Sequence, residues 1–329
     1  MSERRIRCLS AEDVKRALPM SEAIDVMRNA FIQLSSSRAI VPVRMSMEVA
    51  PEHGRTLLMP AYLPDDHQTS IKIVSVNEEN PARGLPLIHA VVIVLDASSG
   101  RLLALLDGEY LTALRTGAAS GLATKLLARE DSETLVIFGA GAQARTQLEA
   151  VCCVREIKRI WVFDTDPQRA DHFVTSLRED ISTSIESTPD PKRLRDADIV
   201  CTATTSQTPV FQHEDLRPGT HINAIGCYQP HTQEIPGATV AAAKVVLGQW
   251  DGCLAEAGDL IQPIKQGLIS EGHIYGELGE IAAGDKPGRE TSDEITLFKS
   301  VGNAVQDLAA ASRVLENADN LGLGAEVIL

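Results

Sequence analysis

Residues 135–144 read Leu135-Val136-Ile137-Phe138-Gly139-Ala140-Gly141-Ala142-Gln143-Ala144, an apolar run that breaks at closely spaced glycines and resumes as a helix-forming segment. A short unbroken run of large apolar residues suits a strand buried on both faces. The G-x-G-x-x-A pattern has a physical rationale at each position. Gly139 permits a tight turn, Gly141 lets the backbone approach a pyrophosphate, and small Ala144 lets the helix lie close to the strand. The helix that begins at Ala142 and Gln143 turns its positive end toward the phosphates. A glycine pattern alone is a weak signal. Here a second strand, Arg159–Phe163, ends on Asp164, about 20 residues on, where a carboxylate can accept bonds from ribose hydroxyls. Asp164-Thr165-Asp166 carries no arginine directly after that strand, which favours NAD with NADH preferred, while nearby Arg169 leaves NADP possible.

Downstream of this unit the pattern alternates. Strands are expected at Thr134–Phe138, Arg159–Phe163, Ile199–Thr202, His221–Ile225 and Lys244–Leu247, with helices at Ala142–Val154 and Pro167–Arg178. Such alternation predicts an α/β fold built on a Rossmann-type, doubly wound parallel sheet. Upstream the texture differs. Residues 10–36 read as helical, opened by Ser10 with Asp13 and carrying Ile24, Met27, Phe31 and Leu34 on one face. Short β-rich runs follow at Arg55–Leu63, Ser70–Val76, His89–Asp96 and Leu102–Asp107, the last two joined by Ala97-Ser98-Ser99-Gly100. They suit an antiparallel or mixed sheet in a second, α+β domain. Tyr110–Arg129 reads as a helix whose Gly117, Ala118, Ala119 and Gly121 permit close packing, and a final amphipathic helix is expected over Phe298–Leu315. The predicted division is residues 1–118 with 303–329 as a substrate-binding and dimerisation domain, and 119–302 as the NAD-binding domain.

The 329 residues, 44% hydrophobic and 23% charged, allow two domains with sizeable cores. A formal net charge of −14 argues against a nucleic-acid or anionic-membrane partner, which would need a clustered positive field. The cysteines, at 8, 152, 153, 201, 227 and 253, show neither metal spacing nor a disulfide framework, so reduced thiols, a cytoplasmic location and no metal are expected. Charged residues interrupt Ile6 to Met20, unlike the apolar core of a signal peptide, and no apolar run approaches the ~20 residues of a membrane helix.

Outside the nucleotide unit, three cations stand in apolar contexts: Arg44 in Pro42-Val43-Arg44-Met45, Lys72 in Ile71-Lys72-Ile73-Val74, and Arg115 in Leu114-Arg115-Thr116. Lys72 between β-branched apolar residues is out of place for a solvated lysine. On spacing alone, surface or ion-paired cations are favoured over a carboxylate clamp. Cys227, directly after Gly226, reads as a small buried residue, and His221 as structural. His231 is a candidate proton relay without a partner in the pattern. Glu256 and Asp259 read equally as lining residues or as solvated helix-end acids.

Several segments in order resemble the ornithine cyclodeaminase/μ-crystallin family: Leu114-Arg115-Thr116-Gly117-Ala118-Ala119-Ser120, Phe138-Gly139-Ala140-Gly141-Ala142-Gln143, His221-Ile222-Asn223-Ala224-Ile225-Gly226, Glu277-Leu278-Gly279-Glu280 and Leu297-Phe298-Lys299-Ser300-Val301-Gly302. The resemblance runs from Met59-Pro60 to Gln306-Asp307. It implies a homodimer, a small imino or amino acid substrate and a carboxylate clamp at Arg44, Lys72 and Arg115; an imine accepts hydride best when protonated, and Lys72 or a water it orients is the candidate catalytic proton donor. It also implies cofactor contacts at Thr116, Thr202, Ala203, Ile225, Gly226, Ser300, Val301 and Gly302, beside Gly139, Gly141, Ala142, Gln143 and Asp164.

Family cyclodeaminases and the related alanine dehydrogenases typically carry an aspartate shortly after the Asn-Ala-x-Gly strand. Here the chain reads Cys227-Tyr228-Gln229-Pro230-His231, with no carboxylate until Glu234, which is expected to lie beyond the strand end; Leu87 stands where a polar substrate contact is expected. Losing ammonia from an oxidised amine needs a base, whereas reducing a preformed imine needs only a cofactor, a clamp and a proton source. The resemblance therefore implies a ketimine reductase of the Δ1-pyrroline-2-carboxylate type, ahead of an ornithine cyclodeaminase, an alanine or amino acid dehydrogenase, or a non-catalytic small-ligand binder.

Overall fold

A computed structural model describes residues 5–52, 54–178, 181 and 183–328. It divides into two units, Met1–Arg115 with Asn303–Leu329, and Thr116–Gly302. In chain order the first unit contains β1 (Arg5–Leu9), α1 (Ala11–Ala17), α2 (Met20–Ser35), β2 (Met45–Val49), β3 (Gly54–Leu63), β4 (Gln68–Asn77), β5 (Ile88–Asp96), β6 (Leu102–Asp107) and the start of α3 (Gly108–Leu127). The second contains β7 (Thr134–Phe138), α4 (Ala142–Val154), β8 (Arg159–Phe163), α5 (Pro167–Leu177), β9 (Ser184–Ser187), β10 (Ile199–Thr202) and β11 (His221–Ala224). It continues with α6 (Gly237–Ala242), β12 (Lys244–Leu247), α7 (Trp250–Glu256), α8 (Gly258–Lys265), β13 (Ile274–Glu277), α9 (Leu278–Ala283) and β14 (Thr296–Lys299). The last elements, α10 (Ala304–Leu321) and β15 (Ala325–Ile328), belong again to the first unit.

In the first unit the Ser10–Asp13 capping box forms: Ser10 Oγ accepts from Asp13 N at 3.2 Å, and the Asp13 carboxylate accepts from Ser10 N at 3.0 Å. The helical stretch expected over residues 10–36 forms as two helices, α1 and α2. Pro19 has no N–H to continue the ladder and holds the preceding residue out of the helical region, so Leu18 sits at φ −133°, ψ 90°. The seven-stranded sheet has the order β15-β1-β6-β5-β4-β3-β2, with β1 and β6 parallel and the other pairs antiparallel. Side chains alternate along it. Met59, Ala61 and Leu63 of β3 and Lys72 and Val74 of β4 are buried, and α10 packs on these two strands and on α2.

The second unit's sheet is wholly parallel, in the order β13-β12-β14-β11-β10-β7-β8-β9. Val136 and Phe138 of β7 join the core on one face, and Leu135 and Ile137 the core on the other, which is why the strand reads as an unbroken apolar run. From β9 the chain returns to place β10 on the far side of β7, and ligands of doubly wound sheets bind outside the strand ends at such a reversal. The small residues of α3 find their partner in α4, where a Cβ added at Gly117 would lie 2.4 Å from the Thr146 carbonyl oxygen. Phe298, expected to open the last helix, is instead a buried residue of β14. Gly302 at φ +78° separates strand from helix, and Asn303 caps α10. Among the described residues no helix is long and apolar enough to cross a membrane.

Candidate active site

The glycine motif forms a cradle at the end of β7. Gly139 adopts φ +99°, and a Cβ there would lie 2.5 Å from the Ala203 carbonyl oxygen. Gly141 is the N-cap of α4, makes no side-chain cap bond, and has open space where a Cβ would stand. With no side-chain cap at Gly141, the first-turn amides of α4 are of the kind that hold a pyrophosphate. Buried Ala144 packs against the same core as Leu135 and Ile137. Gln143 Oε1 is buried without a partner. Asp164 is fixed by backbone: its Oδ2 accepts from Ala140 N and its Oδ1 from Asp166 N, each at 3.0 Å. Arg169 Nη2 approaches the same Oδ2 at 3.9 Å. These residues fit a dinucleotide bound with Asp164 at the ribose.

The other expected cofactor positions gather at neighbouring strand ends. Ala203 N donates to Phe138 O at 2.8 Å, and Ile225 N and Gly226 N donate to Thr202 O at 3.0 and 3.1 Å. The Thr202 hydroxyl donates to Glu234, so it is committed within the protein. Ser300, Val301 and Gly302 follow β14, the neighbour of β11, and Ser300 Oγ accepts from Gly302 N at 3.2 Å. Thr116 immediately precedes Gly117, the residue that meets α4. Gly226 also has a structural reason to be glycine, since a Cβ would lie 2.2 Å from Thr204 O.

The cations lie in the first unit. Lys72, central in β4 between Met59 of β3 and Val92 of β5, is 2% exposed. Its Nζ pairs with Asp307 Oδ2 at 2.8 Å and donates to the Thr112 hydroxyl at 3.4 Å. Arg115, one turn along α3 from Thr112, is also buried; its Nε donates to Asp307 Oδ1 at 2.9 Å and its Nη1 to Gln306 Oε1 at 3.1 Å. Burial pulls the Lys72 pKa down to about 8 against the restoring charge of Asp307, with Arg115 and Arg44 pushing the same way as burial. Burial would raise the Asp307 pKa, but Arg115 and Lys72 overcome it and hold the carboxyl below its usual value. Arg44 is half-buried and near enough for its charge to act on Lys72.

Asp307 and Gln306 were missed as site residues. The signal was available: a lysine centred in a buried strand requires a counter-ion, and Gln306-Asp307 is the polar pair at the start of α10. A second buried cluster, in the second unit, was also missed. Lys299 Nζ pairs with Asp259 Oδ2 at 2.8 Å, and Asp259 Oδ1 accepts from the backbone N–H groups of Glu234 and Ile235 at 2.7 and 2.9 Å. Glu234 lies beyond the end of β11, as expected. Its carboxylate folds back and accepts from Thr202 Oγ1, Thr204 N, Thr204 Oγ1 and Cys227 N. Burial, reinforced by Asp259, raises its pKa. Asp259 is wholly buried rather than solvated. Cys227 is buried, and burial pushes its thiol up, as befits a packing residue. His221 bonds Thr296 and Asn223, and burial depresses it to about 3. His231 is exposed. Among the described residues no group of three or more His, Cys, Asp or Glu could hold a metal ion.

The sequence model of the ornithine cyclodeaminase/mu-crystallin family matches residues 5–321. The chain belongs to that family. Within it, the chain is 39% identical over 321 residues to a Δ1-pyrroline-2-carboxylate reductase of Bacillus cereus, covering 97% of this chain and 98% of the relative. The structure of the Thermococcus litoralis Δ1-pyrroline-2-carboxylate reductase, in complex with NADH and L-proline, superposes with a TM-score of 0.94 at 42% identity, over 98% of this chain and 100% of that one. An archaeal alanine dehydrogenase dimer with bound NAD superposes with a TM-score of 0.91 at 34% identity, over 98% of this chain and 99% of that one.

Proposed function

We propose that this chain is an NADH-dependent ketimine reductase that converts a cyclic imino acid of the Δ1-pyrroline-2-carboxylate type to the L-amino acid. The observation that carries the reading is the buried cluster in which Lys72 and Arg115 share the single carboxylate of Asp307, with Arg44 alongside. Two cations against one anion leave a buried positive charge, which is costly unless a ligand anion completes it. The carboxylate of an imino acid is such an anion, and full-length similarity to named reductases of this substrate supports the choice.

In this mechanism Arg44 and the Nη2 of Arg115, which Asp307 and Gln306 leave unengaged, take the substrate carboxylate. Gly139, Gly141, Ala142 and Gln143 hold the cofactor pyrophosphate and Asp164 its ribose, with Thr116, Thr202, Ala203, Ile225, Gly226, Ser300, Val301 and Gly302 along its length. Bound NADH supplies the hydride to the imine carbon. Lys72, with a pKa near 8, retains its proton at neutral pH and can release it to the imine nitrogen at modest cost. A cyclodeaminase needs a free base, and none stands at Cys227-Tyr228-Gln229, while the oxygens of Glu234 are engaged.

We also propose a homodimer formed through the first unit. Leu58, Tyr62, Ile71, Ile73 and Ile93 line the sheet face opposite the buried residues, and Val43, Met45 and Met47 are exposed at its edge. Such an apolar surface calls for a partner. All six cysteines are free thiols, which supports a cytoplasmic location.

The deciding experiment follows NADH absorbance with cyclic imines, with pyruvate plus ammonia, and with ornithine under NAD. Oxidation with cyclic imines alone is expected. Proline and ammonia released from ornithine would overturn the reading in favour of a cyclodeaminase, and turnover of pyruvate plus ammonia in favour of a dehydrogenase.

A further inference from the structure

We propose that Asp307 is a positioning residue for this reduction: its carboxylate bridges Lys72 and Arg115 and holds both cations in place for the substrate carboxylate, a role that rests on the reading above.

The placement is built from the sequence upward. Asn303 caps α10 by accepting from Val305 N at 2.9 Å, and Gln306 Oε1 accepts in return from Asn303 N at 2.9 Å. That capping box fixes Gln306, which also accepts from Arg115, and puts Asp307 over the centre of β4. The two carboxylate oxygens are divided, Oδ2 to Lys72 and Oδ1 to Arg115, so one rigid group sets the position of both cations. Asp307 is fully buried.

The charges facing Lys72 come from three elements: Asp307 on α10, Arg115 on α3 and Arg44 in the segment before β2. Its cross-strand neighbours, Met59 and Val92, are uncharged. Among these charges Asp307 favours the ammonium, while burial, Arg115 and Arg44 oppose it; the Thr112 hydroxyl also accepts from it. Without the carboxylate, two cations repel each other and the lysine gives up its proton at lower pH. A purely structural aspartate would alter folding and leave the ionisation of the reacting enzyme where it was.

The test uses Asp307→Asn as full-length enzyme with NADH and Δ1-pyrroline-2-carboxylate, and equilibrium binding of pyrrole-2-carboxylate as a planar carboxylate probe. Expected are a fall in kcat/KM of about tenfold or more, weaker probe binding, and an alkaline limb of the pH profile displaced to lower pH, with NADH affinity retained. An alkaline limb and probe affinity both unchanged would overturn the proposal. Should Asp307→Asn fail to fold, Asp307→Glu carries the test. Its displaced charge should keep the limb in place while raising KM severalfold, and an unchanged KM would overturn the proposal. Lys72→Met separates the two levels of argument. If it is inactive while Asp307→Asn is normal, the positioning role fails alone; if Lys72→Met is also fully active, the underlying reading fails.

Discussion

Each unit buries a lysine against an aspartate at 2.8 Å, yet the two clusters differ in kind. Around Lys299 the acids outnumber the base, and Glu234 and Asp259 spend their oxygens on backbone N–H groups and hydroxyls that tie the β10 and β11 loops together. Around Lys72 the bases outnumber the acid, and few backbone groups take part. The first arrangement is closed, its charges satisfied by the chain itself, and it acts as a scaffold. The second has more bases than acids among its named groups, and the proposed substrate carboxylate would complete it. Burial alone does not mark a functional ion pair; the sign of what remains after pairing does.

The contrast predicts its largest effect at Lys72. Loss of a proton donor costs about 10²–10⁴-fold in rate, so Lys72→Met should lower kcat/KM for the imine in that range while NADH still binds. In the unsubstituted enzyme the active form holds the Lys72 proton, so kcat/KM should be level near neutrality and fall as pH rises through about 8. Stability runs the other way. The unfolded chain keeps this proton up to about 10.5 and the folded chain only to about 8, so the lysine weighs against folding at neutral pH and that weight lifts between the two values. A pH profile flat to pH 10 would remove Lys72 from the chemistry.

Lys299→Met should act on stability instead. Breaking a buried pair by removing one partner costs about 3–5 kcal/mol, because Asp259 would stay buried with its charge uncompensated. Denaturant unfolding should show that loss without a displaced alkaline limb in the residual activity. A stable Lys299→Met that had lost turnover would erase the distinction between the clusters.

Arg44→Ala should have a smaller effect, about tenfold on kcat/KM through KM, the worth of one charge-assisted bond. It is a cleaner probe than Arg115→Ala. Arg115 holds one oxygen of buried Asp307, so its removal would disturb folding together with binding. An Arg44→Ala enzyme with unaltered KM would place the substrate carboxylate elsewhere.

These contrasts also show what a sequence discloses. In the Rossmann half the elements around the glycine motif, Thr134–Phe138 and Ala142–Val154, were legible to the residue, because strands buried on both faces and glycines in obligatory conformations leave local signatures, whereas β9, β13 and β14 were not read as strands. The strands β1, β2 and β15 were not, since Ala325–Ile328 and most of Met45–Val49 are exposed and show no burial alternation. Lys72 was conspicuous among Ile71, Ile73 and Val74. Its partner was hidden because Asp307 lies on the last helix, and only the tertiary fold brings it to β4. The engagement of Glu234 was hidden for a related reason: distance along the chain after β11 says nothing of a carboxylate that folds back.

The smallest expected effect concerns Asp164, a carboxylate held by backbone like those around Lys299 but standing at the glycine cradle. Its two oxygens each accept one N–H and retain lone pairs for ribose hydroxyls, and its charge repels a 2′-phosphate. Arg169, 60% exposed at the side chain, lies 3.9 Å away and is drawn toward the carboxylate rather than toward any phosphate. Asp164→Ser removes the repulsion and releases Arg169 at once. Because Arg169 is largely exposed, the pair is worth about 1 kcal/mol or less, roughly fivefold in an equilibrium. The ratio of kcat/KM for NADH over NADPH should therefore fall about fivefold, by loss with NADH and gain with NADPH. Measuring both cofactors in both proteins decides it. An unchanged ratio would mean that Asp164 only braces the turn at Ala140, and that cofactor choice is made by residues further along the dinucleotide.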